Sequence, residues 1–315
     1  MPAPFYRSAN DGVAEAFYQA ATVYVAENIR ELPETYAHVA VHLRPDFPAA
    51  RILIAEIKES QNQWPEALWA YLAVSNASAY CWIARLRAAL AQDRSDKIED
   101  AERLLGAMID ERPERSDAAS TLGDIYRGRE RWTDAVKAYD IAIGRLQPVS
   151  ERHWLLYFVR GQALERAKEW DRAEPDFLKA LDLRPDQPIV LNYLGYSWVD
   201  QGIHLSRARR MIERAVEQRP QDGAIVDSLG WVLFRLGKYE EAVEQLERAV
   251  VLRPGDATIN DHLGDALWTV GRREEAVFQW KRALTLAPEP ELVPKIELKL
   301  RDGFAAPTPL VEAGS

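Results

Sequence analysis

The chain has 315 residues, 47% of them hydrophobic and 28% charged, with a formal net charge of -9. That balance describes a folded chain, and its acidity argues against nucleic acid, whose phosphates call for a basic stripe. One cysteine, Cys81, excludes an internal disulfide and a multi-cysteine metal site, and no apolar run reaches the roughly 20 residues of a membrane-spanning helix.

The opening MPAPFYRSANDG has neither a charged n-region nor an apolar h-region, and residues 1–13 read as a loose start. From residue 14 the apolar spacing is that of paired amphipathic helices. Residues 14–47 carry Phe17, Ala20, Ala21, Tyr24, Ala40 and Pro45, with Pro33 near the start of the second helix. Residues 48–79 keep Ile54, Ala55, Trp64, Ala67 and Tyr71. Residues 80–115 keep Ala101, Leu105 and Pro113, but their first helix departs from the pattern. Residues 116–153 keep Leu122, Gly123, Tyr126, Trp132, Ala135, Tyr139 and Ala142 before a longer exit loop, QPVSERH.

Four units then follow with little variation: 154–187, 188–222, 223–256 and 257–290. They contain YFVRGQAL, LNYLGYSW, VDSLGWVL and NDHLGDAL, starting at Tyr157, Leu191, Val226 and Asn260. Gly161, Gly195, Gly230 and Gly264 are 34, 35 and 34 apart, and Pro185, Pro220, Pro254 and Pro288 are 35, 34 and 34 apart. The longer step reflects one extra turn residue after Gly202, an insertion that costs little. In the third unit Leu229, Gly230 and Leu233 face Ala242, Leu246 and Ala249, the small residues letting the helices approach. After Pro288, residues Glu291–Arg301 read as a final helix with Leu292, Ile296 and Leu298 inward, and 302–315 as a flexible tail.

A period of about 34 residues with a small residue, a later Ala and a closing Pro is identified as the tetratricopeptide (TPR) pattern. The resemblance covers residues 14–301. It implies an all-α fold: a right-handed superhelical solenoid of about eight helical hairpins and a capping helix over 291–301. No long linker interrupts it, so one continuous domain is expected. The phrases NYLGYSWVD, IVDSLGWVLFRLGKYEEAVEQLERAV and INDHLGDALWTVGRREEAVFQWKRAL further resemble TPR lipoproteins of the Gram-negative envelope. One of those is an adaptor that delivers substrates to a periplasmic carboxyl-terminal processing protease. That resemblance implies a periplasmic or outer-membrane-associated adaptor, with such a protease or its substrates as partner. The chain departs from the group in lacking a signal sequence and a lipidated N-terminal Cys; Cys81 follows NASAY rather than a lipobox. Either an N-terminal portion precedes this sequence, or this copy is not exported and belongs to the cytoplasm.

In TPR proteins the first-helix stripe beside the packing stripe lines the concave face. Carried over by position, it comprises Phe158 and Gln162, then Asn192 and Tyr196, then Asp227, Trp231 and Phe234, then Asp261, Asp265 and Trp268. Aromatic side chains offer contact area at small entropic cost, and Asn, Asp and Arg bond peptide backbone. The stripe is therefore expected to hold a polypeptide segment, with the three acids favouring basic or amide-rich partners. On the alternative reading Trp231 and Trp268 pack between hairpins, and the acids serve solubility. The clamp for acidic chaperone tails needs Lys, Asn and Arg at positions held here mainly by Asp and aromatics, so that mode is excluded.

No enzyme is expected. His38 and His42 stand four apart, but residue 39 is Val and no third ligand is evident, so no metal is assigned. The chain has no GxSxG elbow, P-loop or GxGxxG, and no cofactor is implied. Glu240–Glu241 and Glu274–Glu275 sit in first turns, where the helix dipole accounts for them. The expected function is a non-catalytic adaptor binding another protein. The alternatives are a self-assembling scaffold, giving a homo-oligomer, and a cytoplasmic regulator docking onto an enzyme.

Overall fold

The computed structural model describes residues 8–29 and 31–311. Among these residues there are seventeen α-helices and no strand. Sixteen helices form eight hairpins. The first four are α1 (Ala9–Ala26) with α2 (Pro33–Leu43), α3 (Pro48–Ser60) with α4 (Trp64–Leu72), α5 (Cys81–Arg94) with α6 (Ile98–Glu111), and α7 (Asp117–Gly128) with α8 (Trp132–Gly144). The next four are α9 (Trp154–Arg166) with α10 (Trp170–Leu183), α11 (Pro188–Gln201) with α12 (Leu205–Gln218), α13 (Gly223–Arg235) with α14 (Tyr239–Leu252), and α15 (Ala257–Thr269) with α16 (Arg273–Thr285). A last helix, α17 (Val293–Asp302), packs on α16. The helices divide into two compact units, Met1–Val149 with Gln162–Trp170, and Ser150–Gly161 with Asp171–Ser315.

One packing device recurs in both units. A small residue on the first helix receives a larger side chain sixteen or seventeen residues later on the second. A methyl group built at Gly230 would sit 2.6 Å from Leu246 Cγ, at Gly195 2.8 Å from Ile212, at Gly161 2.7 Å from Phe177, and at Gly123 2.5 Å from Tyr139. At Gly264 it would strike the Trp280 ring. At these five positions glycine is required because the close-packed seam has no room for an extra carbon. Earlier in the chain Ala55 and Tyr71 share one buried cluster at the same spacing, and Ala88 and Leu105 are both fully buried. Ala88 thus supplies the small residue of the third unit. The helix α5 is complete there, with Ala84, Leu86, Ala88, Ala89 and Ala91 buried.

A second device closes the hairpins. Each first helix is followed by one residue in the left-handed region: Asn28, Asn62, Asp96, Glu130, Lys168, Gly202, Gly237 and Gly271. Glycine does this freely and Asn or Asp at modest cost, whereas Glu130 and Lys168 carry a Cβ that crowds the following carbonyl. Glu130 has φ 57° and is exposed. Glu130→Gly should therefore raise the unfolding free energy by about 0.5–1 kcal/mol, the relieved strain exceeding glycine's added unfolded-state entropy. Urea denaturation would show it as a higher midpoint at unchanged slope.

Several details differ from the sequence expectation: the capping helix spans Val293–Asp302 rather than 291–301, and Leu298, expected inward, is exposed while Lys299 takes the inner position. The helix α1 starts at Ala9 rather than residue 14, because Ser8 and Asp11 form a capping box, each side chain bonded to the other's backbone N–H at 3.2 Å. The expected loose residues 1–7 lie outside the described residues, as do 312–315. The tail is the larger correction. Residues 303–311 carry no helix, yet Phe304 and Leu310 are half-buried against the chain's own first helices. An aromatic and a leucine among small residues suffice to seat it.

Candidate polypeptide-binding site

In the second unit α13 lies between α11 and α15, and equivalent positions repeat every 34 or 35 residues. Asn192, Asp227 and Asp261 form one row; Tyr196, Trp231 and Asp265 the next; Val199, Phe234 and Trp268 the third. Phe158 is also buried in this unit, its ring 5.6 Å from Tyr193 and 6.0 Å from Phe177. Gln162 is half-buried and belongs to the other unit.

The three acids are buried and already paired. Asp227 accepts from His262 Nδ1 at 3.0 Å, and the His262 ring stacks on Trp231 at 4.2 Å. Asp261 and Asp265 share one ammonium, Lys299 on α17, at 2.8 and 2.7 Å. The Trp280 indole N–H donates to Asp265 at 3.0 Å. The expected lean toward basic partners therefore has no free carboxylate behind it. These acids hold the end of the fold shut, a use that exposure alone separates from ligand binding.

Burial pushes the Asp265 carboxyl up, with Asp261 adding to it and Lys299 opposing, to about 7. Burial pulls His262 down, but Asp227 beside it outweighs that, so its value is raised above the usual 6.5. A raised histidine stabilises the fold fully below pH 6.5 and loses that contribution as pH climbs through the folded value. A raised carboxylate acts in the same direction, favouring the fold least once ionised. The thermal midpoint of this unit should therefore fall as pH rises from 3.8 to about 7, where Asp265 ionises, and go on falling above 6.5 as His262 loses its proton; His262→Gln should remove the part above 6.5. An unchanged slope in His262→Gln would contradict the pairing.

The aromatic residues serve both packing and surface. Phe234 is buried, stacked on Trp231 at 5.1 Å. Trp268 and Trp231 are half-buried, Trp268 lying 5.2 Å from the Trp280 ring. Tyr196 is pushed up to about 12 by burial, then by Asp227 and Asp200, with Arg235 opposing. Two polar atoms in this neighbourhood have no hydrogen-bond partner within the chain: Asn192 Oδ1 and Arg235 Nε. One is an acceptor and the other a donor, the complement of what a peptide backbone offers. Sequence reasoning missed Lys299 and His262. Extending the period one step, from Trp231 and Asp265 to position 299, would have found the lysine.

Repeated helical hairpins with a fixed small-to-large seam and no strand define a helical-repeat protein. The tetratricopeptide repeat profile matches over 86–151, 121–188 and 158–204, and a TPR repeat profile over 230–271. The chain belongs to the tetratricopeptide repeat family. A TPR repeat-containing protein of Pseudomonas aeruginosa is 33% identical over 87 residues, which span 28% of this chain and 15% of that protein. A chain of the APC/C hetero-tetramer Cut9–Hcn1 superposes with a TM-score of 0.60 at 15% identity, covering 86% of this chain and 52% of its own. A tetratricopeptide repeat protein from Parabacteroides merdae gives 0.53 at 16% identity over 92% and 98%. These likenesses establish the fold, and the fold supports a role in protein–protein interaction. Among the described residues no helix is long and apolar enough to cross a membrane.

Proposed function

We propose that this protein is a non-catalytic adaptor that holds an extended segment of another protein against α11 and α13, in a process of the Gram-negative envelope. The observation that carries the reading is the pair Asn192 Oδ1 and Arg235 Nε, both buried without a partner in the chain. An unpaired buried polar atom costs about 1–3 kcal/mol, so a segment that parts the covering side chains and bonds it with an N–H or C=O recovers energy the free protein lacks. Tyr196 and Trp231 beside them supply flat apolar area that a peptide covers at little entropic cost. The envelope assignment rests on the likeness of the three quoted phrases to envelope TPR lipoproteins.

The test uses Asn192→Leu and Arg235→Met together. Removing the orphaned atoms should leave stability equal or higher while affinity capture of the physiological partner falls at least tenfold. Undiminished capture by the doubly substituted protein would overturn the reading.

A further inference from the structure

Beyond α17 the chain turns back and runs across the second unit as an extended strap. Gly303, with φ 81°, brings the backbone against the Trp268 ring. Phe304 then sits among Phe234 at 6.2 Å, Trp280 at 6.4 Å and the Lys299 ammonium at 5.2 Å. Five residues on, Pro309 lies 3.0 Å from where a Gly237 side chain would begin, and Leu310 3.5 Å from that of Gly202. The Leu310 N–H donates to the Arg235 carbonyl at 2.8 Å. That carbonyl belongs to the last turn of α13, where no helical N–H reaches it. From Phe304 to Leu310 is six steps, about 19 Å at the rise of a polyproline helix. First helices about 8–10 Å apart set the same span from α15 past α13 to α11.

The strap is thus read at four points: an aromatic slot, a backbone carbonyl, and two shallow seats floored by glycine. Both glycines hold left-handed turns, so the seats are built by the same residues that close the hairpins. We infer that these C-terminal ends of α11, α13 and α15 form a binding site for a foreign extended segment carrying an aromatic residue followed, five and six positions on, by Pro and a branched apolar residue. The segment 303–311 is a built-in stand-in for that ligand and competes with it. This rests on the adaptor reading and specifies its ligand. The tail's chemistry names the partner: mostly uncharged, proline-containing and unstructured when free, so that its preset backbone loses little entropy on docking. Beyond Gly303, the Leu310 backbone hydrogen bond and three half-buried side chains, Phe304, Ala306 and Leu310, hold the tail, so a matching segment can displace it.

The probe is a fluorescent peptide copying residues 303–311, titrated by anisotropy into the full chain and into the full chain with Phe304→Ser and Leu310→Asp. The substituted protein should bind it at least tenfold tighter than the parent, and Phe→Ala or Leu→Asp within the peptide should abolish binding. Equal binding by the two proteins, or none by either, would overturn the inference. So would concentration-dependent dimers of the parent that dissolve on adding peptide, since the tail would then serve a second copy. Excess peptide added to the parent should also speed hydrogen exchange within 303–311, which keeps the inference testable should the substituted protein misfold. Unchanged exchange under saturating peptide counts against it. If peptide binding fails while Asn192→Leu with Arg235→Met still loses the partner, the tail's mimicry is wrong and the adaptor reading stands.

Discussion

Lys299→Met should destabilise the C-terminal end of this protein by about 3–5 kcal/mol, the range for removing one partner of a buried ionic cluster. Lys299 is the single ammonium reaching two carboxylates, Asp261 and Asp265, each almost fully buried. Without it two like charges four residues apart on one helix turn would face each other in a site of low dielectric. One carboxyl would take up a proton, and α17 would lose its polar tie to α15. Lys299→Arg should keep most of the stability, since it retains the charge although its fork fits the two carboxylates less well. Chemical denaturation followed by tryptophan fluorescence measures both. A Met variant within about 1 kcal/mol of the parent would mean that the carboxylates are solvated and the cluster weak.

Trp280→Ala should cost about 3–5 kcal/mol, typical of deleting a fully buried large aromatic. Trp280 has no exposed surface, packs over Gly264, lies beside Trp268 and Phe304, and donates to Asp265. Its loss leaves a cavity and removes one of the donors that Asp265 has. Because the tail's aromatic slot shares that ring, the substitution should also expose Phe304, detectable as faster proteolysis after residue 304. The same substitution made with Gly264→Ala should recover part of the loss, because the added methyl group enters the space the indole vacates. If Gly264→Ala is harmless with Trp280 in place, the seam is looser than described.

The hairpins were legible because their signals are local and repeat. A glycine every 34 or 35 residues, Ala on the facing helix and Pro after it describe one supersecondary unit, whatever lies elsewhere. The third hairpin was obscured because Ala88 stands at the buried small position where the later units carry the glycine that marks the period. The candidate site was legible as positions but not as chemistry. The period locates Asp227, Asp261 and Asp265 on one face, yet whether an acid faces solvent or a lysine depends on what packs over it. Here that is α17, a half-hairpin whose Lys299 continues the register of Trp231 and Asp265. The tail was unreadable for a different reason. Proline and small residues describe a chain with little structure of its own, and its order comes from seats built by α11, α13 and α15.

Hydrogen exchange of the intact protein, resolved to the Leu310 amide, tests most directly whether these first helices can hold an extended polypeptide. Bonded to the Arg235 carbonyl, that amide should exchange at least tenfold more slowly than the same residue in a free peptide of residues 303–311. Equal rates would mean the strap does not rest there, and would contradict the seat from which the ligand of this face is read.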